Sequence, residues 1–273
     1  FPPLVGAMLV ASLAVLTACA RDLDTLAPAA FPTTAAIFND VYAGVSFEAF
    51  GGSKVDAVSV DPATRFRGAA AIKVAIPAPG DASGGYAGGA FVAFVPRNLT
   101  GYNALTFYAK AASNASLDVA GFGNDNSGNS PYVAQVNGLA LTTSWKKYVI
   151  PIPLAAKLER ERGAFFFAEG PENGVGNTIW FDEIQFENLS TVANARPAIT
   201  TATIYDEVGA TFSVSGTSVT FAVAGVDQTV SAAPAYFTFR SSNETVARVA
   251  ADGSIRVVGA GAATVTASLG STN

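Results

Sequence analysis

The chain has 273 residues, 16 basic and 21 acidic side chains, no histidine and one cysteine. Half of the residues are hydrophobic and 14% are charged, which excludes a disordered chain, and a net charge of −5 without a basic run argues against nucleic acid as a partner. Without histidine there is no Ser-His-Asp or Cys-His relay and no His-ligated zinc; one cysteine allows neither an internal disulfide nor a Cys-rich metal site. A carboxylate enzyme, a binding module and a structural part stay open.

From Leu4 to Ala18 the chain carries no charge, and Cys19 follows at once. Such a run is short of the 20 or so residues a membrane span needs, but suits the apolar core of an export signal. Leu16-Thr17-Ala18-Cys19 resembles the bacterial lipobox, in which the cysteine is lipidated after cleavage. The resemblance implies an exported protein anchored to a membrane through Cys19. Ala20 after the cysteine suits the outer membrane or cell surface. The alternative, a buried apolar helix with an incidental thiol, finds no packing partner downstream. There is no initiator Met and no basic stretch before Leu4, so residues 1–19 are expected to be a signal peptide shortened at its start. Residues 20–34 mix Ala, Pro, Thr and Asp without periodicity and read as a flexible tether.

Residues 35–190 form a series of short alternating or apolar runs cut by Gly, Asn, Asp and Pro. Strands are expected over 70–77, 88–95, 104–111, 116–123, 132–136, 146–152, 164–169 and 178–186. With no amphipathic helix between them, they indicate an all-β antiparallel sandwich. Residues 154–163 are the single helical candidate, with Glu159, Arg160, Glu161 and Arg162 as a solvated face. Apolar density falls over 191–199 around Pro197, which reads as a linker. Residues 200–273 then supply six or seven short strands, in 201–208, 210–216, 218–225, 236–242, 246–261 and 263–269, enough for a smaller Ig-sized sandwich.

Two resemblances sharpen this. Ser241-Ser242-Asn243, Val246-Ala247-Arg248-Val249, Asp252-Gly253-Ser254-Ile255 and Gly259-Ala260-Gly261-Ala262-Ala263-Thr264-Val265-Thr266-Ala267 resemble the bacterial Ig-like group 2 family. Asp252-Gly253 suits a hairpin turn, and Gly259 with Gly261 lets the chain bend; no helix follows the GxG, so it is not a nucleotide loop. The family's usual closing strand is not matched after Gly270. The resemblance implies a spacer or adhesion module. Residues 35–190 resemble galactose-binding-like jelly rolls that serve as carbohydrate-binding modules, on Gly84-Gly85-Tyr86-Ala87-Gly88-Gly89, Leu105–Lys110, Trp145-Lys146-Lys147-Tyr148 and Ile179-Trp180-Phe181-Asp182-Glu183-Ile184. That likeness implies a structural calcium at Asp182 with Asp40 or Glu48 as partner, or else an Asp182 that hydrogen-bonds a loop.

A sugar platform needs exposed aromatic rings among amides and carboxylates, since pyranose faces are apolar and their rims are hydroxylated. Tyr86, between glycines, and the loop of Asn124, Asp125 and Tyr132 are the expected ligand-binding residues; a plain turn with ordinary strand-end tyrosines is the alternative. Trp145 and Trp180 are expected in the core, as are Phe107, Phe166 and Phe181. Glycoside hydrolysis needs two carboxylates flanking one bond. Glu159, Glu161, Glu169, Glu172, Asp182 and Glu183 form no recognisable pair, so no enzyme is expected within these residues, though a catalytic domain beyond them is plausible. The sequence therefore points to a monomeric, lipid-anchored binder of polysaccharide. An adhesin that meets another protein is the alternative, and a glycoside hydrolase the second.

Overall fold

The computed structural model describes residues 30–270. Lipidation of Cys19, the signal peptide and most of the tether lie outside the described residues. The fold is all-β, with a jelly-roll sandwich followed by a smaller one. The first comprises β1 (Ala36–Asn39), β2 (Val41–Tyr42), β3 (Val45–Ala49), β4 (Val58–Asp61), β5 (Ala71–Ile76), β6 (Ala87–Arg97), β7 (Ala104–Ala111), β8 (Ala115–Phe122), β9 (Ala134–Leu141), β10 (Lys146–Pro151), β11 (Glu161–Glu169) and β12 (Asn177–Glu187). One sheet runs β10-β7-β12-β5-β4, with β1 and β2 along the other end of β12. The facing sheet runs β3-β6-β11-β8-β9. All pairings are antiparallel, and the chain crosses repeatedly from one sheet to the other, as in a jelly roll.

Alternation builds the core. Leu105 and Phe107 of β7, Ile179 and Phe181 of β12 and Ile72 and Val74 of β5 point inward to meet Phe91, Phe165, Phe167 and Phe122 of the opposite sheet. The rings pack as tilted and edge-on pairs; Phe107 lies 5.3 Å from Phe165, and Phe167 5.1 Å from Phe181. Phe107 and Phe181 are core residues, as expected. Phe166 is not. It points out of the opposite side of its sheet, where it forms a second cluster with Ala90, Val92 and Phe50. An added Cβ on Gly121 would stand 2.7 Å from the Phe166 ring, so only glycine lets this ring lie down on the sheet.

The second sandwich comprises β13 (Val192–Ala198), β14 (Thr211–Ser213), β15 (Ser218–Val223), β16 (Val226–Ala232), β17 (Phe237–Ser241), β18 (Ala247–Val249), β19 (Ser254–Val257) and β20 (Val265–Leu269). Three expectations need correction. Residues 191–199, read as a linker, hold β13, paired to β15; as an exposed edge strand it needs few apolar residues and tolerates Pro197. Residues 201–208 hold no strand, and Tyr205 is 92% exposed. The helix expected over 154–163 is a single 3-10 turn at Ala155–Lys157, after which pairing of Glu161 with Arg97 begins β11. The hairpin at Asp252-Gly253 is present, with Gly253 at φ +81° between β18 and β19.

The two sandwiches share more than a covalent link. Ser231 and Ala232 of β16 pair with Gln135 and Ala134 of β9, so the β3-β6-β11-β8-β9 sheet continues into the second sandwich. The Tyr236 hydroxyl, fully buried, donates to the Tyr132 carbonyl at 2.8 Å, and the Gln228 amide donates to the Val149 carbonyl at 2.6 Å.

Candidate functional site

The outer face of the β10-β7-β12-β5-β4 sheet gathers aromatic and hydrogen-bonding side chains. Strand parity decides which residues it shows. Because Leu105, Phe107, Ile179 and Phe181 point inward, Thr106, Tyr108, Lys110, Trp180, Asp182 and Gln185 point outward. The pairings Lys110↔Trp180, Trp180↔Lys73 and Lys73↔Ser59, with Trp145 next to Lys146↔Ala109, lay one row across five strands: Trp145, Lys110, Trp180, Lys73, Ser59. Trp145 and Trp180 thus stand two strand spacings apart, about 10 Å, on the order of a disaccharide's length. Both rings are half-buried, and neither belongs to the core cluster. The expectation that they pack inside is corrected. Ile179, Trp180 and Phe181 are consecutive and apolar, so alternation alone does not assign the face of Trp180.

The loop 62–70 between β4 and β5 folds back over this face. Phe66 stacks on Tyr108 at 3.7 Å and meets Trp145 edge-on at 6.1 Å. Asp182 fixes the loop. Its Oδ2 accepts the N–H groups of Phe66 (2.8 Å) and Arg67 (3.1 Å), and its Oδ1 accepts that of Glu183 (2.7 Å). Trp180 Nε1 donates to Asp61 Oδ2 at 2.8 Å, and Lys110 Nζ lies 5.5 Å from the Trp180 ring centroid. The Trp180 bond and the Ala63 N–H hold the Asp61 carboxyl below the ordinary aspartate range. Further along, Glu187 accepts Lys147 Nζ at 2.8 and 2.9 Å, Thr106 Oγ1 at 2.8 Å and Gln185 Nε2 at 2.9 Å. Partial burial raises the Glu187 pKa, but these donors outweigh it and hold the group low.

The expected ligand-binding residues are not brought together. Tyr86 precedes the Ala87↔Glu169 end of the β6–β11 ladder, whereas Asn124 packs against Gly163 near the other end, about 20 Å away for six residues of strand. Tyr86 is half-buried, lies against Gly52 and Gly88, and gives its hydroxyl to the Gly51 carbonyl at 3.0 Å. Asp125 Oδ1 accepts the Ser127 and Ser130 hydroxyls at 2.5 and 2.6 Å, ordering its own loop. Asn124 Oδ1 accepts the Asn126 N–H at 2.9 Å. Tyr132 packs on Tyr236 at 5.4 Å, in the junction between sandwiches.

Of the expected calcium ligands, Asp40 and Asp182 both hold the 62–70 loop: Asp40 Oδ1 accepts the N–H groups of Ala69 (2.5 Å) and Ala70 (3.0 Å), next to the Phe66 and Arg67 groups held by Asp182, whereas Glu48 is exposed on a strand of the other sheet. No group of three or more acidic or Cys side chains placed to hold a metal occurs among the described residues. Of the carboxylates available for glycosidic chemistry, Glu161, Glu169 and Asp182 are buried and each accepts backbone N–H groups. Burial pushes both Glu161 and Glu169 up to about 7.

No family model and no curated protein matches the chain. Among solved structures, the chain is similar to the family 30 carbohydrate-binding module of a cellulosomal cellulase of Clostridium thermocellum, with 16% identity over 57% of this chain and 97% of that one, at a TM-score of 0.41. It is also similar to a family 11 carbohydrate-binding module from Clostridium thermocellum, in complex with a β-1,3-1,4-mixed-linked tetrasaccharide. There the identity is 12%, over 57% of this chain and 96% of that one, at a TM-score of 0.40.

Proposed function

We propose that the protein is a non-catalytic glycan-binding protein, held at a bacterial cell surface by a lipid on Cys19, with the jelly roll as binding module and the second sandwich, of bacterial Ig-like group 2 type, as spacer. One observation carries the binding role: Trp145, Phe66 and Trp180 lie on one sheet face among Lys110, Lys73 and Asp61. Aromatic planes suit the apolar faces of pyranose rings, and the ammonium and carboxylate groups beside them suit hydroxyls. The rings are positioned in advance by Asp61 and by the Asp182-bound loop, so little side-chain freedom is lost on binding. Each site is expected to be weak and to act through repetition along a polymer.

Affinity electrophoresis and calorimetry against β-glucans, xylan, galactans and polyuronates test this. Trp180→Ala and Trp145→Ala are expected to lower affinity at least about tenfold, on the scale of a stacked aromatic contact. Tyr86→Ala is expected to leave it unchanged. Wild-type binding to none of these polymers, or binding untouched by both tryptophan variants, rejects the assignment. The adhesin reading has one observation in its favour, the adjacent exposed apolar residues Phe94 (68%) and Val95 (55%).

A further inference from the structure

We infer that the aromatic face prefers anionic polysaccharides, whose pyranose rings carry carboxylates, over neutral glucans; this rests on the glycan reading of the same face. The protein carries a net charge of −5, so acidic partners are repelled unless cations are gathered where they bind. They are gathered at Trp180. Lys110 and Lys73 are its direct cross-strand neighbours, one on each side, in the same outward row. Directly opposed side chains start about 5 Å apart at Cβ, within reach of both ammoniums to a group lying over the ring.

These two lysines differ from Lys147 and Arg67 of the same face. Lys147 is neutralised by Glu187 at 2.8 Å, and Arg67 stands 3.8 Å from Glu183. Neither Lys73 nor Lys110 takes part in an ion pair among the described residues. Asp61 also lies beside Trp180, but it pairs with neither lysine: one oxygen accepts Trp180 Nε1 and the other the N–H groups of Ala63 and Thr64, so its single charge offsets one of the two ammoniums and leaves the row a net cation.

The chemistry of a hexuronate fits this arrangement. Its carboxylate projects from the rim of the ring while the ring face remains apolar. A ring stacked on Trp180 therefore carries its charge outward along the sheet, toward one ammonium or the other depending on orientation. A neutral glucan makes the same stacking contact but leaves both ammoniums with hydroxyl partners only. Charge-assisted bonds to carboxylate are the stronger kind.

Calorimetry on the full chain with polygalacturonate, alginate, mixed-linkage β-glucan and xylan tests the inference, at low salt and again at about 0.5 M, where surface charge is strongly screened. The acidic polymers are expected to bind about five- to tenfold more tightly than the neutral ones at low salt, the scale of one or two exposed ion pairs, and to lose that margin at high salt. Lys73→Gln with Lys110→Gln is expected to abolish the preference, lowering affinity for the acidic polymers about five- to tenfold more than affinity for neutral glucan, with the thermal midpoint unchanged. Binding of neutral glucans, lost in Trp180→Ala, with no acidic preference overturns this inference and leaves the glycan reading standing. So does an acidic preference that survives the double lysine variant. Binding to no polymer rejects both.

Discussion

Glu161→Gln tests the account of the buried carboxylates most directly. Glu161 opens β11 and is 7% exposed, with Oε1 accepting the N–H groups of Arg162 (2.8 Å) and Gly163 (2.7 Å). Its cross-strand neighbour Arg97 offers no compensation, because that guanidinium donates to the carbonyls of Thr34, Ala36 and Ala43. Burial, with a smaller push from Asp125, raises the carboxyl from 4.5 to about 7 despite the two N–H bonds. The folded state therefore holds the proton more tightly than the unfolded chain. The stability this gives is complete below about pH 4.5 and is lost as pH rises through about 7. A difference of about 2.5 units corresponds to roughly 3 kcal/mol. Groups such as Asp40 and Asp61, held low by hydrogen bonds, act in the opposite sense, but only below about pH 4. Urea unfolding between about pH 5 and 8 thus isolates Glu161 and Glu169, the two groups raised into that window. The wild type is expected to weaken across it. Glu161→Gln keeps an acceptor for both N–H groups, and is expected to match the wild type at pH 5 and exceed it by about 2–3 kcal/mol at pH 8. The slope left over belongs to Glu169. A wild type equally stable at both ends, or a variant weaker than it at pH 8, refutes the reasoning.

Two further substitutions probe the site and its supports. Asp182→Ala strands the three N–H donors of Phe66, Arg67 and Glu183, and is expected to cost about 3 kcal/mol and to alter the fluorescence of Trp145, which Phe66 touches edge-on. Measured with calcium and then chelator, the same variant also checks the metal assignment: a calcium-dependent rise in wild-type melting temperature that Asp182→Ala abolishes restores it. Gly123→Ala places a Cβ 2.0 Å from the Tyr132 carbonyl at φ +86°, and is expected to lower stability by at least about 2 kcal/mol by thermal unfolding. An unchanged midpoint rejects the packing described for that loop.

Strands were legible where both parities carried a pattern. Residues 104–111 match β7 because Leu105, Phe107 and Ala109 alternate with Thr106, Tyr108 and Lys110. β16 escaped notice because Asp227, Gln228, Thr229 and Ser231 dilute its two valines, and its pairing with β15 makes it a strand. The site was the harder part. Ile179, Trp180 and Phe181 are consecutive and apolar, and their faces are decided only by which strands lie beside them. A lysine beside Trp180 in space, Lys73, is 107 positions away in sequence. The motif places Asp182 in its strand, but its partners Phe66 and Arg67 lie 116 and 115 residues upstream, beyond any local spacing rule. Conversely, Gly84–Gly89 and the Asn124–Tyr132 loop carry the local composition of a binding loop, and in the structure Tyr86 bonds the Gly51 carbonyl while Asn124 and Asp125 bond within their own loop.

Tyr132 shows why composition misleads at a boundary between two sandwiches. An aromatic at the end of a polar loop looks like a platform only if nothing follows to cover it. Here β16 pairs with β9 directly after it, and Tyr236 enters the same space, its hydroxyl satisfied by the Tyr132 carbonyl. The pairing also covers the Ala134-Gln135 end of what would otherwise be an open edge of the β3-β6-β11-β8-β9 sheet, a surface that invites strand addition by another chain. One contiguous cluster of buried residues runs from Phe122 and Val136 of the jelly roll to Val230, Tyr236 and Phe237 of the second sandwich. A freely hinged spacer needs a polar, solvated boundary between independent cores. This apolar, hydrogen-bonded junction instead fixes the second sandwich against the jelly roll, and with it the orientation of the face that bears Trp145 and Trp180 relative to the second sandwich.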